Sequence, residues 1–383
     1  LAYPGSSRRR WRRRRLALTF AALAAGAALA DELPNLGRAL FFDTGLSATG
    51  TQACVTCHNP AAAFTDNRDN GVSGAASLGT DGRSLGDRNA PTLTYVSFVP
   101  EFHRDAHGEY TGGLFHDGRA ETLEIQAAEP FTNPLEMAMP HPREVGTRIL
   151  QTPAYRDAIA SNFGDGAAAD PDQAFDAATR SIAAFEHSAE FSTFDSKYDR
   201  YLRGEYEMTE MEELGRLLFF SNLVNCSRCH LRNNGADPSE ETFTNYRYNN
   251  IGIPANDALR ARNGLSAAHR DPGRAATTSD PAPHGQFSAP ALPNVAVTAP
   301  YMHNGVFAEL ETAIVFYSKF TVENAFSRTN PETGRAWRDP EAPETIDHAL
   351  LAEGQPIDAT RAEALEAFLR TLTDRRYEPL LER

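Results

Sequence analysis

One five-residue pattern, C-x-x-C-H, occurs twice in this sequence, from Cys54 to His58 and from Cys226 to His230. Two cysteines about one helical turn apart can each form a thioether with a haem vinyl group, and the next histidine can bind the iron. Zinc sites usually bring their cysteine pairs closer together in sequence, and a redox dithiol needs no adjacent histidine. The pattern therefore predicts two covalent c-type haems. The residues that would hold them are Cys54, Cys57, His58, Cys226, Cys229 and His230.

The length of 383 residues suggests two domains, and an internal repeat supports this division. A Leu-Gly-Arg-x-Leu-Phe-Phe stretch precedes each motif, at Leu36–Phe42 and at Leu214–Phe220. Each stretch predicts a short amphipathic helix that leads into a haem-binding helix. Further helices are predicted at 121–129, 142–160, 173–190, 309–319 and 358–373, and a long loop at 66–88. We therefore expect a mainly α fold with two cytochrome c-like haem domains in tandem, residues 31–195 and 196–383.

Residues 1–30 have the features of a signal peptide. Arg8 to Arg15 is almost entirely basic, and Leu16 to Ala30 is apolar, rich in alanine and short for a membrane span. This segment predicts export to the periplasm, which suits covalent haem, and no stable membrane span. The net charge of −14 includes seven arginines of this segment, so the remainder carries −21. Such acidity disfavours nucleic acid as a partner and could steer a basic redox protein.

Four further blocks accompany the two motifs. They are Arg88–Thr92, Leu114–Arg119, Asn133–Met137 and Thr298–Gly305. In order and spacing, the blocks and motifs resemble the bacterial di-haem cytochrome c peroxidase superfamily, and within it the MauG-like branch. The resemblance covers nearly the whole chain after the first thirty residues. It implies an enzyme that reduces hydrogen peroxide at the N-terminal haem, while the C-terminal haem relays electrons from an external donor.

The first haem is expected to be open on its distal side. In many di-haem peroxidases, a histidine in the loop after the first motif closes that haem, but no histidine occurs here between His58 and His103. The resemblance implies Glu136 as the distal carboxylate that moves a proton during O–O cleavage. It also implies that Gln126 and Pro130 line the same pocket. Without the family context, Glu136 would be an ordinary residue of a polar loop.

The distal ligand of the second haem has two candidates. Peroxidases of this superfamily carry a methionine fourteen residues after the histidine of the Pro-Tyr-x-His block, and from His303 that position is Tyr317. A tyrosine at this position resembles the MauG-like proteins, in which a tyrosine is the distal ligand. A tyrosinate is a hard anionic donor that stabilises ferric and higher oxidation states. Met302 remains an alternative soft ligand, and a tyrosine on an apolar helix is often only a core residue.

Two further sites depend on the resemblance. Asn89, Thr298 and Pro300 match the residues by which the family binds a calcium ion between its domains, and oxygen donors suit that hard cation. Most relatives place a tryptophan between the haems, where this chain has His116. The usual relay through an indole is therefore in doubt. Direct tunnelling between the haems could replace the relay, or His116 could bridge the haems as a catalytic residue. His116 could also be a structural histidine, or become a ligand after a domain rearrangement.

Three functions remain open at this point. A peroxidase would draw electrons from a small cytochrome c or a cupredoxin. A MauG-like oxidase would instead use the stored oxidising equivalents to modify side chains of a partner protein. The position of Tyr317 and the missing capping histidine favour this second mechanism. A non-enzymatic electron carrier with two closed haems is the third alternative, and it would show no spectral change with peroxide.

Overall fold

The chain is largely helical in the computed structural model, which describes residues 33–232, 240–266, 268–278, 282–321 and 326–382. The helices are α1 (Leu33–Phe41), α2 (Cys54–Cys57), α3 (Leu123–Thr132), α4 (Pro142–Gln151), α5 (Pro153–Phe163), α6 (Pro171–Glu186), α7 (Lys197–Leu202), α8 (Glu210–Phe219), α9 (Asp257–Asn263), α10 (Leu310–Phe316), α11 (His348–Leu351) and α12 (Ala359–Thr371). The mainly α class is thus confirmed. The predicted signal peptide, residues 1–30, lies outside the described residues.

Strands are confined, in the described ranges, to three antiparallel pairs of two residues each. They are β1 (His103–Arg104) with β2 (Tyr110–Thr111), β3 (Tyr248–Asn249) with β4 (Phe287–Ser288), and β5 (Thr329–Asn330) with β6 (Arg335–Ala336). Single 3₁₀ segments lie at Thr44–Leu46, Pro60–Ala62, Val96–Phe98, Cys226–Arg228, Arg274–Ala276, Val295–Val297, Tyr317–Phe320, Pro343–Thr345 and Arg375–Glu382. No helix in the described ranges is long and apolar enough to cross a membrane.

The first hydrophobic core lies between residues 36 and 191 and is organised by α6. Helix α1 crosses α6 at Gly37, where an added Cβ would lie 1.8 Å from the carbonyl oxygen of Ser181. Only glycine permits this approach of two backbones. Stacked rings of Phe64 and Phe191, with centroids 4.3 Å apart, continue the core towards the first C-x-x-C-H motif.

The second core, between residues 198 and 372, repeats this arrangement. Helix α8 crosses α12 at Gly215, where an added Cβ would lie 1.8 Å from the carbonyl oxygen of Ala364. Gly37 and Gly215 hold the same place in the Leu-Gly-Arg repeat, so the repeat marks one helix crossing used twice. Two separate cores are consistent with domains divided near residue 195, and we keep that division as a proposal.

The structure corrects two details of the predicted helices. The segment 142–160 contains two helices, α4 and α5, because Pro153 starts a new helix and its ring cannot continue the preceding one. The second motif forms a 3₁₀ turn at Cys226–Arg228 instead of an α-helix, directly after Asn225 in a left-handed conformation with φ 56°. The loop predicted at 66–88 contains no helix.

Polar contacts join the two halves of the chain. Arg88 donates two hydrogen bonds of 2.7 Å to Asp271, and Tyr95 donates one of 2.6 Å to Asp374. Arg88 also pairs with Asp117 at 2.6 Å, so a single buried cation faces two carboxylates. These contacts fix the N-terminal loops against the C-terminal half, and the loops carry several of the predicted site residues.

Candidate active site

The first motif places the ring of His58 in position to bind a metal. Helix α2 carries Cys54 and Cys57, and the partly buried ring of His58 follows it. The Nδ1 atom of His58 lies 3.1 Å from the carbonyl oxygen of Phe64, to which a neutral ring donates its proton. This hydrogen bond leaves Nε2 as the free lone pair. Orientation of this kind is typical of histidines that bind iron or zinc.

The second motif has the same orientation contact. Nδ1 of His230 lies 2.9 Å from the carbonyl oxygen of Phe243. Phe64 and Phe243 are both left-handed, with φ 55° and 52°, which turns each carbonyl towards its histidine. The motifs alone did not predict this pair. Its signal is visible in the sequence, since Phe64 and Phe243 each begin a Phe-Thr-Asx stretch after a motif.

The donor sets fit covalent haem. All four cysteines fall within the described residues, and none is in a disulfide. Burial raises the pKa of the Cys54 and Cys226 thiols, so both are neutral at neutral pH. The described residues include no cluster of three or more histidine, cysteine or acidic side chains. Each motif therefore offers two neutral thiols and one imidazole.

Glu136 is a partly buried carboxyl close to the first motif. It follows α3, and Asn133 donates a hydrogen bond of 2.9 Å to its Oε1 atom. Burial raises the pKa of Glu136, although the charge of Arg119 acts in the opposite direction. Its backbone is fixed too, because the amide of Thr80 donates to its carbonyl oxygen at 2.7 Å. A carboxyl with a raised pKa holds a proton more readily than an exposed one, which suits a group that transfers protons.

Gln126 and Pro130 lie on α3, four residues apart and therefore on one face of the helix. The carbonyl oxygen of Pro130 accepts a hydrogen bond of 3.2 Å from the amide of Met137, which ties the end of α3 to the turn that carries Glu136. The helix and the turn thus bring Gln126, Pro130 and Glu136 into one region. Their roles in a distal pocket stay predictions.

A second buried carboxyl was not found from the sequence. Glu186 ends α6 and is only 2 % exposed, and its Oε2 atom has no hydrogen-bond partner. Burial and the charge of Glu124 raise its pKa to about 8. After burial itself, the carboxyl of Glu186 is the largest influence that raises the pKa of Cys54, which places it beside the first motif. Helical periodicity did not single out Glu186, because it shows only that this position lies on the face of α6 that packs on the core.

A cavity of about 320 Å³ lies beside His230. This is within the range of cofactor sites, roughly 300–1,000 Å³. Both Tyr317 and Met302 line it, so the structure brings both predicted candidates for a distal ligand to the second site. Burial and the nearby thiols of Cys229 and Cys226 raise the pKa of Tyr317. The choice between the two ligands stays a prediction.

His116 lies on the wall of the same cavity, towards the N-terminal half. Its Nε2 atom is 2.9 Å from the carbonyl oxygen of Asn89, and the amide of Asn89 donates to the carbonyl oxygen of His303 at 2.7 Å. Burial lowers the pKa of His116, so the ring is neutral. His116 is therefore held by the backbone between the two halves, whether or not it takes part in electron transfer.

The three residues predicted to bind calcium also come together. Asn89, Thr298 and Pro300 line the wall of the cavity. The Nδ2 atom of Asn89 donates to the carbonyl oxygen of Gly74 at 3.0 Å, so its amide oxygen is the end left to accept a cation. An amide oxygen with backbone carbonyls fits a hard cation such as calcium. The calcium ion itself stays a proposal.

Comparison with known proteins identifies the family. A sequence model described as di-haem cytochrome c peroxidase matches residues 31–207. Over 354 residues, the chain is 51 % identical to the methylamine utilization protein MauG of Paracoccus denitrificans, covering 92 % of this chain and 91 % of that protein. The chain belongs to the di-haem cytochrome c peroxidase and MauG family. It is therefore an oxidoreductase, and the resemblance found in the sequence is confirmed.

Two further relatives of this family agree. The chain is 31 % identical to the cytochrome c551 peroxidase of Pseudomonas aeruginosa over 289 residues, which cover 76 % of this chain and 72 % of that protein. The crystal structure of the diheme peroxidase BthA from Burkholderia thailandensis superposes with a TM-score of 0.78 at 30 % identity, covering 90 % of this chain and 86 % of that one. Membership of this family implies two haems.

Proposed function

We propose that this protein is a di-haem oxidase of the MauG type, which reduces hydrogen peroxide at the N-terminal haem and oxidises side chains of a partner protein. The partly buried carboxyl of Glu136, hydrogen-bonded by Asn133 beside the first motif, is the observation that carries the peroxide chemistry. Similarity to MauG along nearly the full length of both chains supports the choice of a protein substrate.

The protein's part at the first site is to hold the iron ligand and to move a proton. Haem bound there would supply an iron atom that binds peroxide and accepts its oxidising equivalents. His58 would bind that iron through Nε2, because Phe64 takes its Nδ1 proton. Glu136 would take a proton from the near oxygen of peroxide and return it to the leaving oxygen. Gln126 and Pro130 would limit the space around Glu136.

At the second site, His230 and Tyr317, which line the same cavity, would hold the other iron. A phenolate oxygen favours higher oxidation states more than a thioether does. Tyr317 would therefore let the second haem share the oxidising equivalents until a protein substrate arrives. Covalent attachment through the cysteine pairs, the calcium ion at Asn89, and export of the protein to the periplasm are parts of the same proposal.

Peroxide titration followed by a substrate comparison tests this function. Ferric holoprotein should change its optical spectrum with one equivalent of peroxide, without prior reduction. The product should persist until a partner protein is added, and mass spectrometry should then find oxidised side chains in that partner. A resting protein without any high-spin ferric haem, or one whose spectrum ignores peroxide, would contradict the proposal.

A cytochrome c peroxidase is the second candidate. It is favoured by the similarity to the cytochrome c551 peroxidase of Pseudomonas aeruginosa. In that case a small cytochrome c or a cupredoxin would return the electrons, and mixing reduced cytochrome c with protein and peroxide should oxidise the cytochrome at a steady rate. Membership of a family of enzymes argues against the third alternative, a plain electron carrier.

A further inference from the structure

Three neighbouring aromatic rings, those of Tyr317, Phe316 and Trp337, form a file that begins at the second site. Trp337 lies at the surface end of this file. It is the one tryptophan among the described residues, since the other in the chain is Trp11. The ring of Tyr317 is 6.5 Å from that of Phe316, and the ring of Phe316 is 5.2 Å from the indole of Trp337. The file thus joins the wall of the second site to the surface.

The indole is held in place and partly open to solvent. Its Nε1 atom donates a hydrogen bond of 2.8 Å to the carbonyl oxygen of Ser327. Its inner edge packs against Phe307 and Phe316, which are 2 % and 1 % exposed, whereas its neighbours Ala336 and Arg338 are exposed. A phenylalanine in place of Trp337 would be enough to fill the apolar cluster formed with Phe307 and Phe316. The indole adds a ring that loses an electron far more readily than phenylalanine does.

The surface beside Trp337 is a polar groove with both signs of charge. Arg270 and Asp339 line it, together with an ion pair of Arg338 and Asp257. Polar, charged rims are typical of transient protein complexes, which form quickly and separate after electron transfer. A partner protein that docks here would bring its redox group to the exposed edge of the indole.

We propose that Trp337 is the relay residue through which electrons from a partner protein reach the second haem. This inference rests on the proposed function. One hydrogen peroxide takes up two electrons and two protons to give two water molecules. Each electron leaves the indole of Trp337 towards the second site and is replaced by one from the partner. The tryptophan is therefore unchanged after turnover, and the partner has lost two electrons.

Two variants of Trp337 test the relay. Trp337→Phe keeps an aromatic ring against Phe307 and Phe316 but is hard to oxidise, whereas Trp337→Tyr keeps an oxidisable ring and serves as the matched control. Each holoprotein is treated with one equivalent of peroxide. It is then mixed either with reduced mitochondrial cytochrome c, a basic protein probe, or with hexaammineruthenium(II), a small reductant that needs no docking site.

We expect Trp337→Phe to slow electron transfer from the protein donor and not from the small reductant. Trp337→Phe should slow electron transfer from cytochrome c at least tenfold, with the rate from the small reductant and the spectrum after peroxide unchanged, and Trp337→Tyr should recover part of the loss. In wild type treated with peroxide and no donor, peptide mass spectrometry should find oxygen added to Trp337.

Three results would overturn the relay. They are equal rates in Trp337→Phe and wild type, an equal slowing with both reductants, or no recovery in Trp337→Tyr. A wild-type spectrum that does not respond to peroxide is a different failure. It removes the proposed function and, with it, the relay that depends on it.

Discussion

At the scale of single residues, one hydrogen bond orients each candidate iron ligand. The carbonyl oxygens of Phe64 and Phe243 accept the Nδ1 protons of His58 and His230, at 3.1 and 2.9 Å. In both cases a left-handed backbone turns the carbonyl inward. The backbone itself thus orients both imidazoles, a support typical of metal-binding histidines.

Replacement of Glu136 by glutamine should remove the proton shuttle and little else. Peroxide turnover should fall roughly 100-fold, the lower range for general acid–base catalysis. Both haems should stay bound, because the amide can still accept the hydrogen bond from Asn133. Turnover and the haem content of the purified variant are the measurements. Glu144→Gln, a change at an exposed carboxyl of α4, is the control, and wild-type turnover in Glu136→Gln would remove Glu136 from the mechanism.

The distal ligand of the second haem can be decided with a pair of variants. Tyr317→Phe removes only the hydroxyl, and Met302→Leu removes only the thioether. If Tyr317 is the ligand, its variant alone should change the low-spin EPR signal of the second haem and shorten the lifetime of the state formed with peroxide. The opposite pattern, with a change only in Met302→Leu, would assign the site to methionine.

At the scale of helices, the crossings of α1 with α6 and of α8 with α12 depend on one glycine each. At both crossings a methyl group would meet a backbone carbonyl at 1.8 Å, which no side-chain movement can relieve. The helices must instead separate, and the aromatic core behind them must shift. The repeat in the sequence is therefore a repeat of packing as well as of cofactor binding.

Gly215→Ala should destabilise the C-terminal half by about 2 kcal/mol or more, since overpacking a tight contact costs roughly 1–3 kcal/mol. Thermal unfolding of the holoprotein, followed by circular dichroism, measures this. Gly86→Ala is the matched control, because nothing lies within 4 Å of its added Cβ and its φ is not positive. Equal melting temperatures for the two variants would show that the α8–α12 crossing can relax.

At the scale of the whole molecule, the two halves meet through a buried ion network. Arg88 bridges Asp117 and Asp271 across the interface, with its side chain 17 % exposed and theirs 3 % and 5 %. Burial acts to raise the pKa of Asp271, but the hydrogen bonds and charge of Arg88 outweigh it and hold that pKa well below its usual range. The pKa of Asp271 thus depends mainly on the charge of one side chain.

Arg88→Met should leave the buried carboxylate of Asp271 without a cation, whereas Asp117 keeps Arg119, and it should destabilise the protein by about 3 kcal/mol, the lower range for breaking a buried pair. Denaturant unfolding at neutral pH measures the loss. Asp271→Asn should cost less, because Arg88 keeps Asp117. An Arg88→Met variant as stable as wild type would show that the network contributes specificity alone.

The same network predicts how stability depends on pH. A carboxylate whose folded-state pKa is depressed contributes stability above its unfolded-state pKa, about 4, and loses it as the pH falls further. The stability of wild type should therefore decline below about pH 4 more steeply than that of Asp271→Asn. Parallel curves for the two proteins would mean that Asp271 does not titrate in this range.

The sequence by itself determined the features that depend on residues close together in the chain. Two C-x-x-C-H motifs, the Leu-Gly-Arg repeat and helical periodicity predicted the candidate haem ligands, the mainly α class and most helices, because each depends on residues within a few positions. The break at Pro153 follows from the same local rules, although periodicity alone predicted one continuous helix there. The family blocks then singled out Glu136, Tyr317 and Asn89.

Contacts between distant segments were decided only by the tertiary structure. The placement of Glu186 beside Cys54, the bridge from Arg88 to Asp271, and the aromatic file from Tyr317 to Trp337 join positions that no period or motif links. Burial and neighbouring charge set the pKa of a carboxyl, and both arise when helices pack. A sequence states which groups are present, and packing determines which of them meet.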